Sequence, residues 1–375
     1  MPNRKRRVLV TGVARWWGAL LVQRLVEDPG VEEVVAIDTR DPQHDLGDAD
    51  FLKLDIRHSL VGKLVRAVGI DTVVHTQTTI DSFDRDPRRA HETNVIGCLN
   101  LLAGLAGDDT PVRRVVLKSS AHVYGSSHRL AGHVKEDRRL DADSTHSFVR
   151  DIVEAETNLI DFGVRNPGVE TVSLRFANSL NPEEPAPLAL YFDLPLVPTI
   201  AGHDPVLQLI HREDAVNALA LATLGAGRGA YNIAGANALP LSALLDSAGK
   251  LHAPLLPPAG AWLISAALAQ LGLAALSPQL IDLLRWGRTL DTSRAKRGLG
   301  FRPTLDTLAA LNDYLQQRRV LQFLPSGRRY RYERELEDYI HARRTRRRAA
   351  AARSKPAAEP RADPAASDPP PRPRR

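Results

Sequence analysis

Short apolar runs alternate with amphipathic stretches through the first half of this chain. Residues 8–11, 33–38, 51–54, 72–75, 114–118 and 171–176 read as strands, each a brief aliphatic run of the right length. Between them, 19–27, 59–68, 87–106 and 148–162 carry helical spacing. Such alternation predicts an α/β fold, a doubly wound parallel sheet covered by helices on both faces. After Asn178 the texture changes. Residues 181–205 hold Pro182, Pro185, Pro187, Pro195, Pro198 and Pro205, which predicts a loop-rich lid or lobe. Tyr231-Asn232-Ile233 reads as a late strand, followed by a helix over 241–249. No internal repeat is present.

Residues 253–281 carry no charge, and 259–276 form an 18-residue apolar stretch, the lower limit for a membrane span. Gly260, Ser265, Gln270 and Gly272 interrupt it and prolines flank it. The expectation is a buried or dimer-facing helix; exposure of that face would instead give a peripheral membrane contact.

Charge is unevenly placed. From Ile340 to Arg375 there are 11 Arg or Lys against 3 Asp or Glu, leaving 39 against 41 for the rest of a chain whose net charge is +6. The basic character belongs to this Pro/Ala/Arg-rich tail, which lacks apolar periodicity and is expected to be disordered. It could contact nucleic acid or an anionic surface, or simply be a solvated tail. Cys98 is the only cysteine. That excludes a disulfide framework and a thiolate metal site and fits a cytoplasmic location. The 12 histidines show no ligand spacing, so no metal site is expected.

The sharpest local pattern is RRVLVTGVARWWG, residues 6–18. A buried strand runs into Gly12 and Gly18 and then a helix. This is the layout of a phosphate-binding turn, where glycines let backbone and a helix N-terminus approach a pyrophosphate. The usual spacing is TGxxGxxG, and Arg15 stands at the middle glycine. Its side chain would obstruct a pyrophosphate or swing out to pair with it. Asp38, ending the second strand, suits both hydroxyls of an adenosine ribose, and its charge disfavours a 2′-phosphate. The bland alternative is a turn aspartate.

More motifs follow in order: Asp55-Ile56-Arg57, Val73-Val74-His75, Asn94-Val95-Ile96-Gly97, Ser119-Ser120-Ala121-His122-Val123-Tyr124-Gly125, Leu174-Arg175-Phe176-Ala177-Asn178, His211-Arg212-Glu213-Asp214 and Tyr231-Asn232-Ile233-Ala234-Gly235. Together they resemble the extended short-chain dehydrogenase/reductases, and among these the NAD-dependent epimerase/dehydratase family of the UDP-glucose 4-epimerase type. The resemblance covers roughly residues 7–250. It implies a Rossmann domain over 1–180 with a return segment near 206–250, a smaller substrate lobe with C-terminal helices over 181–339, and the tail over 340–375. It also implies NAD as cofactor and a nucleotide sugar as ligand; the apolar stretch above, where dimer-facing, would give a homodimer. By position, Gly12, Arg15, Gly18, Asp38, Asp55, His75 and Asn94 would meet the cofactor. Ser120 and Tyr124 would sit at the catalytic centre, with Arg175 and Asn178 on the substrate side.

The family's Tyr-x-x-x-Lys base is absent. No tyrosine lies between Tyr124 and Tyr191, and matching the helix by Glu154-Ala155-Glu156 puts Phe148 and Ile152 at the two positions. A shift of two offers His146 as general base and Arg150 as a fixed cation. Gln77, in His75-Thr76-Gln77-Thr78, is larger than the alanine usual beside the nicotinamide. Three readings stay open: an enzyme with altered acid/base residues, a non-catalytic nucleotide- or metabolite-binding or interaction protein, and a scaffold without ligand.

Overall fold

The computed structural model describes residues 5–78, 87–130, 132–184, 186–255 and 278–323. The apolar stretch 259–276 and the basic tail 340–375 lie outside the described residues. The strands are β1 (Arg6–Thr11), β2 (Val31–Asp38), β3 (Asp50–Lys53), β4 (Thr72–His75), β5 (Arg114–Ser120), β6 (His133–Val134), β7 (Glu170–Phe176), β8 (Asn178–Ser179), β9 (Leu196–Ile200), β10 (Val206–Leu207), β11 (Leu209–Ile210) and β12 (Gly229–Ile233). Seven form one sheet in the order β12-β7-β5-β4-β1-β2-β3, all parallel. The order reverses between β1 and β4, which opens a crevice beyond their C-terminal ends.

Both faces of the sheet are covered, which is why its strands are continuous apolar runs rather than alternating ones. Val8, Val10 and Val74 face helices α1 (Trp16–Val26) and α7 (Arg212–Leu224) in one core. Leu9, Val73 and Val115 face α2 (Leu60–Val68), α4 (Cys98–Leu105) and α5 (Ser147–Arg165) in another. A third core gathers Leu188, Tyr191 and Phe192 of α6 (Pro187–Asp193), Leu244 of α8 (Leu241–Ser247), and Leu283 and Leu311 from the helices Pro278–Trp286 and Thr307–Phe323.

Three expectations need correction. Helix α1 starts at Trp16, not at residue 19, because extended Arg15 serves as its N-cap; Gly18 therefore lies inside the helix. The long helix expected over 87–106 is split. A short helix α3 (Pro87–His91) leads into a π-helical turn over Glu92–Gly97 before α4. Such turns carry an extra residue and recur at functional sites. Finally, the proline-rich segment is not simply loop. Pro187 occupies the first turn of α6, where its missing N–H costs nothing, and β9 pairs in parallel with Leu251–Leu255.

Candidate functional site

The site is built at the crevice. Gly12 follows β1 with φ +84°, a conformation that favours glycine, and an added Cβ would lie 2.7 Å from the backbone nitrogen of Gln77. A Cβ on Gly18 would meet the Gly12 carbonyl oxygen at 2.5 Å. The turn after β1 is thus clamped to the segment after β4 and to the first turn of α1. Position 15 has no such requirement. Arg15 has φ −98° and ψ 152°, ordinary extended backbone, so a side chain fits without strain.

Arg15 lines a cavity of about 300 Å³ together with Asp38, Arg40, Asp55, Arg57 and Arg89. Asp38 is buried. Its Oδ2 accepts from the Ala14 N–H at 2.9 Å and its Oδ1 from the Arg40 N–H at 3.1 Å. Oδ1 also receives the Thr39 hydroxyl at 3.5 Å, so Oδ2 is the oxygen that keeps a lone pair for a further donor. Asp55 accepts from the Arg57 guanidinium at 2.7 Å, which holds its carboxyl below the usual range, and Arg57 also pairs with Glu92. Arg15, Arg40 and Arg89 have no ion-pair partner among the described residues. A cavity ringed by unneutralised guanidiniums selects an anion.

Beyond Arg15 the wall changes. The Lys118 ammonium sits 4.5 Å from the centroid of the Trp17 ring, which packs on Phe176. Burial and the Arg15 charge push the Lys118 amine down to about 8. His75 does not reach the cavity as a free ring. It is buried with Nδ1 2.7 Å from the Thr11 hydroxyl, and burial and Lys118 push it down to about 4. Asn94 is buried within the π-helical turn. Asn178 lies half-buried on β8, just past the end of β7.

Ser120 ends β5, where parallel sheets present ligands. Its hydroxyl lies 2.8 Å from His122 Nδ1 and accepts from the His122 backbone N–H at 3.3 Å. His122 packs edge-on against Phe148, with centroids 5.8 Å apart. Burial, Arg288 and His146 hold the His122 imidazole well below its ordinary value. Phe148 and Ile152 are core residues of α5. The alternative pair is not assembled. His146 Nε2 lies 2.8 Å from an Asp282 carboxylate oxygen, whereas the Arg150 guanidinium donates to the Ser144 carbonyl.

Tyr124 and Arg175 belong to a buried polar network that their motifs did not reveal. Arg175 is 3% exposed and makes a bidentate ion pair with buried Glu156, which also accepts from Ser119. Arg175 donates to the Tyr124 hydroxyl at 2.7 Å, and that hydroxyl donates to Asn232 at 2.7 Å. Burial pushes the Tyr124 phenol up to about 12. This network ties β5, β7, β12 and α5 together. Both side chains are buried within it.

Sequence reasoning passed over Lys118, His122 and Arg288. Arg288 is buried, donates to the Gly125 carbonyl at 2.9 Å, and its Nη2 has no partner among the described residues. It lines a second cleft of about 810 Å³ with Gln208, Asn237 and Trp286; the Trp286 ring packs against His203, 5.2 Å between centroids. Among the described residues no group of three His, Cys, Asp or Glu could hold a metal. None of the described helices is long and apolar enough to cross a membrane.

The reversal between β1 and β4, the clamped glycine turn and the cavity at its mouth define a dinucleotide-binding α/β protein of the Rossmann type. Residues 8–189 match the NAD dependent epimerase/dehydratase family, and the chain belongs to that family. It is 34% identical over 322 residues to an uncharacterized protein of Mycobacterium tuberculosis, covering 84% of this chain and 85% of the relative. The fold resembles UDP-glucose 4-epimerase of Thermotoga maritima, solved with UDP-glucose, at a TM-score of 0.64, 19% identity, and coverage of 84% of this chain and 99% of that one. It also resembles the dTDP-glucose 4,6-dehydratase DesIV of Streptomyces venezuelae, solved with NAD bound, at a TM-score of 0.62, 24% identity, and coverage of 84% and 98%.

Proposed function

We propose that this protein binds NAD in the crevice between β1 and β4 and uses it to oxidise and reduce a hydroxyl carbon of a nucleotide sugar. The observation that carries the reading is the clamped Gly12 turn opening onto an arginine-ringed cavity. A Cβ at Gly12 or Gly18 would break the turn, and Arg15 occupies its place without strain, so the residues present fit the dinucleotide. Asp38 would accept the ribose hydroxyls, Asp55-Ile56 would line the adenine end, and Arg15 would pair with the pyrophosphate. NAD, when bound, supplies the hydride acceptor and donor. Lys118 would provide the fixed cation that the helix lacks at Ile152. In the second cleft, the unpartnered Arg288 Nη2 suits a phosphate of the sugar nucleotide.

Isothermal titration of the full chain with NAD+ and with UDP-glucose tests this reading. Saturable binding of both, with Arg288→Ala weakening only the sugar nucleotide, supports it; no binding of either refutes it. One observation favours a second reading, a nucleotide-binding sensor without turnover: Phe148 and Ile152 are packed in the core where the family's base would stand. Absence of any nicotinamide absorbance change in the ternary mixture selects that reading. Exposed Ile96, Leu99, Ile160 and Val164, on the π-helical turn, α4 and α5, suit a homodimer contact. The basic tail adds, on its composition, a contact to nucleic acid or an anionic surface. A cytoplasmic location accords with the single, buried thiol.

A further inference from the structure

We infer that His122, acting through Ser120, is the proton-accepting group of this site, in place of the tyrosine that α5 lacks. The inference rests on the hydride-transfer reading above. Its basis is geometric. The Ser120 hydroxyl oxygen receives the His122 backbone N–H, which uses one of its two acceptor positions. In the tautomer that carries the ring proton on Nε2, the hydroxyl proton is directed at His122 Nδ1, 2.8 Å away. One lone pair of Ser120 remains for a ligand hydroxyl at the C-terminal end of β5. The arrangement requires the ring to carry its own proton on Nε2.

The imidazole also stands in the correct part of the site. It packs against the edge of Phe148, the residue occupying the position of the missing tyrosine. The charged or titratable groups that act on it are Arg288 and His146, and the carboxylate nearest in that chain, Asp282, is engaged by His146. Among the described residues no carboxylate pairs with His122, so the ring rests neutral, with a ring-nitrogen lone pair to accept with. His122 is therefore a positioning and relay residue, and Ser120 is the group that touches the ligand.

The step balances as follows. The ligand hydroxyl proton passes to Ser120 Oγ as the Ser120 proton passes to His122 Nδ1. The carbinol hydrogen leaves carbon with its electron pair for the nicotinamide ring of NAD+, and the ligand C–O single bond becomes a carbonyl. The ligand loses two electrons and the dinucleotide gains them; the return step reverses each transfer.

The first test reads the tautomer. The full chain is labelled with 15N-histidine, long-range proton–nitrogen spectra are recorded, and the His122 signals are assigned by their loss in His122→Gln. The expected result is an Nε2–H ring with Nδ1 accepting, and a shift of Nδ1 in Ser120→Ala. An Nδ1–H ring overturns the relay. The second test mixes the full chain, NAD+ and UDP-glucose and follows nicotinamide absorbance over one turnover. His122→Gln should slow the rate at least about a hundredfold while NAD+ affinity, read by calorimetry, stays within about twofold. An unchanged rate overturns the relay. If the parent chain binds NAD+ but reduces none of it with UDP-glucose or dTDP-glucose, the hydride-transfer reading fails, and the relay in its service fails with it whatever the tautomer. The relay fails alone when the parent turns over and His122→Gln matches it.

Discussion

Replacing Arg15 by glycine restores the family spacing, and two lines of reasoning give it opposite signs. If the side chain merely obstructs the turn, glycine improves dinucleotide binding. The structure argues the reverse. Backbone at position 15 is extended, so glycine relieves no strain there. The Arg15 guanidinium lines the cavity, has no ion-pair partner among the described residues, and raises the cost of the Lys118 charge. A pyrophosphate would relieve both. A hydrogen bond to a charged group contributes about 1.5–3 kcal/mol. Arg15 is half-buried, and solvent screening puts it at the lower end. Arg15→Gly should therefore weaken NAD+ binding by about tenfold, the equivalent of roughly 1.4 kcal/mol. Calorimetry on the full chain reads this directly. Arg15→Met, which keeps bulk and loses charge, should behave like Arg15→Gly, and added salt should narrow the gap to the parent. Tighter binding by the glycine variant would refute the argument.

Lys118 gives a pH dependence. Its amine is pushed down to about 8 in the free protein, and a bound pyrophosphate raises it again, so affinity for NAD+ should hold below pH 8 and decline as pH rises through it. Titration across that range should show the decline in the parent and its absence in Lys118→Met. His75 gives a stability window. Its folded value of about 4 lies below the ordinary 6.5, so the unfolded chain binds more protons between them, and stability is lost as pH falls from 6.5 through 4. Urea unfolding should show a shallower acid slope in His75→Gln. Glu156→Gln leaves Arg175 buried without its counter-charge and should cost about 3–5 kcal/mol by chemical denaturation. A loss below about 1 kcal/mol would contradict the assignment of this pair as the lock between β7 and α5.

Much of the fold was legible because strands buried on both faces appear as short unbroken apolar runs. Val8–Val10 and Thr72–His75 needed no tertiary information. The π-helical turn over Glu92–Gly97 was not legible, since one inserted residue leaves the apolar periodicity nearly intact. Helix α1 was read three residues late because an arginine N-cap lacks the side-chain acceptor that usually marks a helix start. Motif position did not reveal the buried network of Tyr124 and Arg175. It says that a residue recurs at a place, not which face of β7 it occupies, and Arg175 pairs in register with Ser119 on the side of Glu156. Lys118 could have been found: it lies two residues before Ser120 on one strand, and a period of two puts both on one face. His122 needed the tight turn Ala121–Tyr124, which folds its ring back onto Ser120.

The Trp17 indole, held between Lys118 and Phe176, gives the protein an optical readout of its own state. A nearby ammonium perturbs indole emission, and a dinucleotide that binds in the crevice and shifts Lys118 would change it again. Occupancy of the crevice can then be watched in unlabelled protein during a stopped-flow experiment. Arrival of the dinucleotide can be timed separately from any chemistry that follows.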